Sequence, residues 1–238
     1  MSGTTRTAGL QKRRATLQMN DLYTPSFNFW RLLAAEEAEV GGSAVLANGN
    51  VPLLLSNAAW FPRADDVGAV ATWYTDKGIV PALILPAVRD GTFDRALEGS
   101  GFTLEQAFTF REIDEPPEDV DLITEQVSWA QGRTLGEHLA AHYGLPAYGV
   151  QLGAAVTRAM QRSPHILSVA AYDGDEVVGA LVAFEREESL YAMMASEALE
   201  GRLYQEAMSR NARALALEPL PDGVTARDGR SLERWSLR

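Results

Sequence analysis

The chain has 238 residues, a formal net charge of −11 and no cysteine. So acidic a chain lacks the basic face that nucleic-acid binding needs, and it is a poor match for anionic membrane surfaces. The absence of cysteine excludes disulfides, thiolate metal ligands and a cysteine nucleophile. Hydrophobic residues make up 46% of the chain, and no apolar run approaches the roughly 20 residues of a membrane span. We therefore expect a soluble, cytoplasmic protein with a sizeable core.

The first half of the chain reads as a tail followed by alternating helices and strands. Residues 1–24 are polar and are predicted to be a tail. The run Phe27–Val40 ends at two glycines, which predicts a helix with a C-terminal glycine stop. Acidic first turns, glycine stops and period-two apolar spacing predict further elements. The further helices are 64–77 and 93–98, and the strands are 43–47, 51–59, 80–87 and 102–113.

An acidic, proline-containing segment, Glu115–Asp119, is the predicted domain boundary, because it breaks both helix and strand. It separates residues 25–114 from residues 120–238. The second half starts with a predicted strand at 120–127. Two helices follow it at 130–143 and 154–162, and the chain ends in a short strand at 224–227 and a short helix at 230–238.

Residues 166–216 carry the clearest pattern in the chain. Three β-rich runs, ILSVAAY, VVGALVAFE and LYAMMA, are separated by the turns DGDE and REES. Asp173-Gly174 between two such runs is a strong hairpin signal, because the turn needs residues that tolerate positive φ. The third run leads straight into a predicted helix over 197–216. The free N–H groups and the dipole of such a helix start favour an anion.

The order of elements after the boundary resembles the GNAT superfamily of N-acetyltransferases. In that superfamily a meander feeds a helix whose N-terminus holds the pyrophosphate of acetyl-CoA. The first half resembles the C-terminal part of the same fold, since ALEGSGF at 96–102 is similar to an element that many members carry before their last strands. A faint counterpart of it is SLERWSL at 231–237. The resemblance implies an α+β protein of two GNAT-like halves, with mixed, mostly antiparallel sheets flanked by helices, the first half being reduced.

The same resemblance implies acetyl-CoA-dependent acetylation of a small-molecule or protein amine. It places the cofactor contacts at the end of the third meander strand and at the start of the following helix. These residues are Met193, Met194, Ala195, Gly201, Arg202, Leu203 and Tyr204. No metal is expected, because Glu137-His138-x-x-x-His142 offers two imidazoles one turn apart but no evident third ligand.

Two residues depart from the superfamily's cofactor loop. Glu200 stands where a basic residue is usual, and Leu203 stands where a second glycine is usual. A carboxylate near a pyrophosphate repels it by roughly 1 to 4 kcal/mol. A leucine side chain also obstructs the close backbone approach that glycine permits. The alternative hypothesis is therefore a catalytically inactive GNAT-fold binding or interaction module.

No catalytic residue is assigned from the sequence. A carboxylate base could stand at the second turn of the meander, where Glu185, Glu187 and Glu188 lie. Tyr191 and Tyr204 are interpreted as packing residues. The last segment, 230–235, offers no tyrosine that could act as the acid, a role that a tyrosine fills there in many relatives.

The predicted C-terminal sheet ends early, because the complete fold has two more strands after the element at 231–237. An open sheet edge invites pairing with another chain. Either strand 102–113 of the first half completes this sheet, or a second subunit does so in a homodimer formed through that edge. The other expected partner is a small-molecule or peptide amine, with no nucleic acid and no membrane.

Overall fold

A computed structural model describes residues 22–89, 91–112, 123–187, 189–196, 213–219 and 231–237. The helices are α1 (22–33), α2 (Val67–Asp76), α3 (Gly91–Gly99), α4 (Gly132–His142) and α5 (Gly149–Arg162). The strands of the first half are β1 (Glu36–Val40), β2 (Ser43–Ala47), β3 (Ala59–Trp60), β4 (Ala82–Pro86) and β5 (Phe102–Glu112). Those of the second half are β6 (Ile123–Gln126), β7 (Ile166–Asp173), β8 (Glu176–Arg186), β9 (Ser189–Ala195), β10 (Arg213–Pro219) and β11 (Ser231–Leu237).

Within this described part of the chain, the strands form one 11-stranded sheet in the order β1-β2-β3-β4-β11-β5-β10-β9-β8-β7-β6. The pairs β3–β4 and β9–β10 are parallel, and the other pairs are antiparallel. The expected α+β class, with a mixed and mostly antiparallel sheet flanked by helices, is confirmed.

The sheet has an internal symmetry that joins the two halves of the chain. Exchanging β2, β3, β4 and β5 for β8, β9, β10 and β11 reproduces the same strand order and the same parallel and antiparallel pairings. The two halves meet at the antiparallel pair β5–β11, where each half contributes its last strand. Among the described residues, the second half has β6, α4 and α5 before β7, where the first half has α1 before β1.

The edge left open by the sequence prediction is covered within the chain. β5 pairs with β10 from Leu215↔Glu112 to Pro219↔Phe108, so a first-half strand lies beside the second-half strands. This is the arrangement expected if strand 102–113 completes the second sheet. The surface proposed for a homodimer is thereby occupied in the monomer, and dimer formation itself stays a prediction.

One core cluster runs through both halves. It joins Phe29, Trp60 and Phe110 to Leu139 and Leu152, all buried. Because apolar area removed from water is the main stabilising term, this shared core couples the two predicted domains. The boundary at 115–119 lies outside the described residues, and the division into two domains stays a prediction.

The predicted helix Phe27–Val40 is wrong at both ends. The helix spans 22–33 and so takes in residues 22–24 of the predicted tail, where Tyr23 is buried and donates its hydroxyl to the carbonyl of Ser231. Glu36–Val40 is instead the edge strand β1. Gly41 and Gly42, with φ of 63° and 97°, close a tight β1–β2 hairpin rather than a helix.

Three further sequence predictions are corrected by strand pairing. The run predicted as a strand at 51–59 holds a short 3₁₀ turn, Leu54–Ser56, before β3 begins at Ala59. Residues 213–216, predicted as the end of a helix, belong to β10. The predicted C-terminal helix is β11, because residues 231–237 pair on both sides, with β4 and β5. Residues 197–212 and the predicted strand 224–227 lie outside the described residues.

Glycines lie at the start of α5 and at the contact between α4 and α5. Gly149 is the first residue of α5, which begins five residues before the predicted helix 154–162. A Cβ added at Gly136 would overlap the backbone of Gly153, so the two helices touch through their backbones there. This glycine contact holds the α4–α5 pair close together against the sheet.

Candidate functional site

The parallel strands β9 and β10 separate at their C-terminal ends. Their pairing runs from Arg213↔Ser189 to Ala216↔Ala192 and stops there, although both strands continue. The β8–β9 register also shifts, because Val182 faces Met194 while Ala183 faces Ala192. Met193 is therefore the extra residue of a β-bulge, which bends the strand and leaves that residue out of the ladder.

A cavity of about 350 Å³ opens where the two strands separate. β9 contributes Met193 and Met194 to it, and β10 contributes Leu217 and Pro219. The other walls come from α1, the segment 52–55, β5 and the chain after α4: Trp30, Pro52, Leu53, Leu54, Leu55, Gln106, Phe108, Tyr143 and Leu145. The site is thus built from both halves of the chain.

The cavity wall is mostly apolar with a few polar groups. The hydroxyl of Tyr143 lies 3.2 Å from the backbone nitrogen of Ala195, from which it accepts a hydrogen bond, and 3.4 Å from the carbonyl oxygen of the same residue. The indole Nε1–H of Trp30, a residue only 5% exposed, has no acceptor among the described residues. A buried donor without a partner costs free energy unless a ligand or a water molecule satisfies it.

The predicted cofactor residues fall into two groups. Met193 and Met194 line the cavity, and Ala195 borders it through its backbone hydrogen bonds to Tyr143. The remaining residues lie outside the described residues, and their role stays a prediction: Gly201, Arg202, Leu203 and Tyr204, with Glu200 beside them.

The turn glutamates are not brought to the cavity. Glu185 lies near the end of β8 and Glu187 in the turn before β9, whereas Met193 and Met194 lie near the far end of β9. From Ser189 to Met193 a strand spans about 13 Å at the usual rise per residue. Glu187 has a side chain 82% exposed and stands in the turn with φ of 56°. Glu188 lies outside the described residues.

Three other residues singled out from the sequence, Tyr191, His138 and His142, are not brought to the cavity. Tyr191 is buried in the core, consistent with its interpretation as a packing residue. Burial lowers the pKa of His138, and the neighbouring His142 lowers it further. Within the ranges that the structure describes, no group of three or more His, Asp or Glu side chains could hold a metal ion.

Sequence reasoning missed Tyr143 and the contribution of the first half. Tyr143 lies on the apolar stripe of the predicted helix 130–143, and the neighbouring sequence does not distinguish a core tyrosine from one that lines a cavity. Trp30 and Leu53 lie more than 130 positions before Met193 in the chain. Only the sheet that joins the two halves brings them to one site.

Comparison with known proteins identifies the fold. No family model and no curated protein matches the sequence. Solved structures do match. A GCN5-related N-acetyltransferase from Kribbella flavida has a TM-score of 0.58 and 11% identity over 90% of this chain and 94% of its own. A functionally unknown conserved protein from Staphylococcus epidermidis has a TM-score of 0.52 and 11% identity over 85% of this chain and 93% of its own.

A GCN5-related N-acetyltransferase from Sphaerobacter thermophilus matches with a TM-score of 0.51 and 13% identity, over 69% of this chain and 64% of its own. At these identities the likeness concerns the fold alone. The chain therefore has the fold of the GCN5-related N-acetyltransferases, as the sequence resemblance implied. Among the helices of the described residues, none is both long and apolar enough to cross a membrane.

Proposed function

We propose that this protein is an N-acyltransferase that moves an acetyl group from acetyl-CoA to a small-molecule or protein amine. One observation carries the proposal: the parallel strands β9 and β10 separate beside a β-bulge and open onto an apolar cavity. The cytoplasmic location expected from the composition is part of the same proposal.

The residues of the cavity fit the acyl-bearing end of such a cofactor. The apolar side chains of Met193, Met194 and Leu217 suit a thin, largely aliphatic arm. The unpaired indole N–H of Trp30 offers a buried hydrogen-bond donor to a carbonyl. The residues proposed for the pyrophosphate are Gly201, Arg202, Leu203 and Tyr204. When bound, acetyl-CoA supplies the activated acyl group.

The chain's own residues would position the reactants and handle one proton. The apolar walls would limit the contact of bound reactants with water, which strengthens polar interactions inside the site. The bulge at Met193 leaves strand β9 with a residue outside the ladder at the cavity wall. Among the described residues that line the cavity, Tyr143 carries an ionisable side chain, and its hydroxyl is the candidate group for holding or delivering a proton there.

The second candidate function is a binding module with the same fold and no chemistry. In the part of the cavity wall that the structure describes, no carboxylate, imidazole or amine is present to act as base. Glu200 and Leu203 also disfavour a pyrophosphate on physical grounds. The two candidates make different predictions for cofactor binding and for turnover.

The test is binding of acetyl-CoA to the full chain, followed by thermal unfolding. A ligand at 100 times its Kd stabilises the folded state by about 2.7 kcal/mol. For a chain of this size that raises the Tm by about 5 to 11 °C. Leu217→Trp should fill the cavity and abolish the shift. Its control is Glu218→Gln, since successive strand side chains point to opposite faces of the sheet.

Release of free CoA in the presence of amines then separates the enzyme from the binding module. Acetyl-CoA binding that Leu217→Trp leaves intact would remove the cavity from the proposal. No Tm shift at millimolar acetyl-CoA would overturn the cofactor assignment. If the wild type binds, Glu200→Arg combined with Leu203→Gly should bind more tightly, and weaker binding would mean that the cofactor loop lies elsewhere.

A further inference from the structure

A second cavity, of about 310 Å³, adjoins the first. Pro52, Leu53 and Leu54 line both of them, so this segment is the wall that the two cavities share. If the first cavity holds the acyl donor, the second is the adjoining space in which an acceptor could lie. Proximity of two bound reactants is what makes transfer between them fast.

Arg234 is the charged residue among the described residues that line the second cavity. It comes from β11, and only 6% of the residue is exposed. Its Nε donates to the carbonyl of Leu54 over 3.2 Å, and its Nη1 is paired with the carboxylate of Glu105. No acceptor for Nη2 is found in the described part of the chain. A guanidinium has five N–H donors, so Arg234 retains donor capacity.

The other polar side chains of this cavity have less capacity to bind a ligand. The amide of Asn57 donates to the carbonyls of Val51 and Leu53, and its oxygen accepts from the backbone of Asn48. The amide of Asn48 donates to the carbonyl of Leu33. These amides therefore hold the loop between β2 and β3 in place. Tyr148 also lines the cavity, with a neutral hydroxyl. Among the described lining residues, Arg234 is therefore the charged donor that can pair with an anion.

Arg234 is charged at neutral pH. Burial lowers its pKa to about 10, while the nearby Tyr74 acts in the opposite direction. A buried guanidinium with unused donors is costly to leave unsatisfied, and it matches a carboxylate, which can accept two parallel N–H bonds. Among the described residues, the carboxylate that it faces is that of Glu105, whose side chain is 40% exposed.

We propose that the second cavity is the acceptor site and that it takes an amine which also carries a carboxylate and an apolar body, such as an apolar amino acid. The carboxylate pairs with Arg234. The apolar part packs on Leu53, Ile79 and Val80, which line the same cavity. The role of the second cavity as an acceptor site rests on the proposed acyl transfer. Its recognition of a carboxylate can be tested without any cofactor.

The experiment is isothermal titration of the full chain with L-phenylalanine and L-leucine, each compared with its carboxamide, in the absence of acetyl-CoA. Loss of the carboxylate should weaken binding by at least about tenfold, equivalent to 1.4 kcal/mol. Arg234→Gln should remove this preference. Glu105→Gln should tighten binding of the free amino acids, because the internal competitor for the guanidinium is gone.

The two variants predict opposite changes, which separates recognition from loss of structure. Arg234 lies in a central strand, so the binding data for Arg234→Gln are interpreted only if this variant unfolds at a temperature similar to that of the wild type. Binding to Glu105→Gln, a change at a half-exposed residue, gives the second measurement. Equal binding of the acids and the amides would overturn the proposal. So would no binding of either up to about 10 mM, since a Kd above that value corresponds to less than about 3 kcal/mol of affinity. Preference for the acids in this titration, together with no Tm shift when acetyl-CoA is added in the separate thermal-unfolding test, would support the anion site and overturn the acyl-transfer proposal instead.

Discussion

The buried ion pair between Arg89 and Glu233 gives a prediction whose size follows from the structure. The two charges lie 2.6 Å apart, with side chains 12% and 7% exposed. Arg89 also contacts Asp94, an exposed carboxylate, and donates to the carbonyl of Pro86. The same oxygen of Glu233 accepts a hydrogen bond from Trp235. Glu233 is therefore the inner anchor of this cluster.

Replacing Glu233 by Gln should lower the free energy of unfolding by about 2 to 3 kcal/mol. Breaking a buried pair costs about 3 to 5 kcal/mol when it leaves a charge without compensation. Here Asp94 still neutralises Arg89, and the Gln oxygen can still accept hydrogen bonds, which places the loss at or just below that range. The expected fall in Tm is about 4 to 12 °C for a chain of this size.

Chemical denaturation and thermal unfolding of Glu233→Gln would be compared with Asp94→Asn, which changes the exposed carboxylate on the same guanidinium. Exposed pairs contribute only about 0.2 to 1 kcal/mol, so this control should unfold within about 4 °C of the wild type. Equal losses in the two variants would show that burial does not determine the value of this pair, and the reasoning would fail.

Two further predictions concern the α4–α5 pair. Gly136→Ala should lower the free energy of unfolding by about 1 to 3 kcal/mol, because the new methyl group would overlap the backbone of Gly153. The control is Gly68→Ala in α2, where the methyl group meets open space, and it should raise the free energy of unfolding by up to about 1 kcal/mol. Denaturant midpoints decide the sign of each change. The pKa of His138, measured by NMR titration, should lie below 6.5, and His142→Gln should restore only part of the difference, because burial is the larger cause. Since the folded protein then binds fewer protons than the unfolded chain, His138 should make stability rise with pH through the imidazole range and lower it on the acid side; a pKa above 6.5 would contradict this.

The location of the apolar cavity could be anticipated in part from the sequence. The sequence predicts Met193 and Met194 as cofactor contacts because the meander pattern resembles that of a known fold, and both residues line the cavity. The cofactor contact itself stays a prediction. The hairpin at Gly174, with φ of 61°, and the strands on either side of it needed no distant partner to be recognised. Trp30 and Arg234 could not be found in this way, since each reaches its cavity through contacts between the two halves. Tyr143 also escaped, because it contacts β9 at Ala195, 52 positions later in the chain.

The strand β11 shows most clearly why some elements escape sequence analysis. Its sequence, SLERWSL, places charges at two adjacent positions, which favours an exposed helix over a central strand. Both charges are nevertheless buried, because Glu233 meets Arg89 from 144 positions earlier and Arg234 meets Glu105 from the opposite strand. Neither partner can be identified without the fold.

The sequence by itself determined three local elements of this protein, the helix α2, the β7–β8–β9 meander and the short helix α3, because capping residues, turn glycines and apolar periodicity act within a few residues. The α+β class followed from the resemblance of the order of elements to a known fold. The tertiary structure decided what those elements make together. It joined two halves into one sheet, placed β11 between β4 and β5, and opened a cavity where β9 and β10 separate. The physical reason is that strand pairing and the burial of charge depend on partners more than 100 positions away, and no local pattern records them.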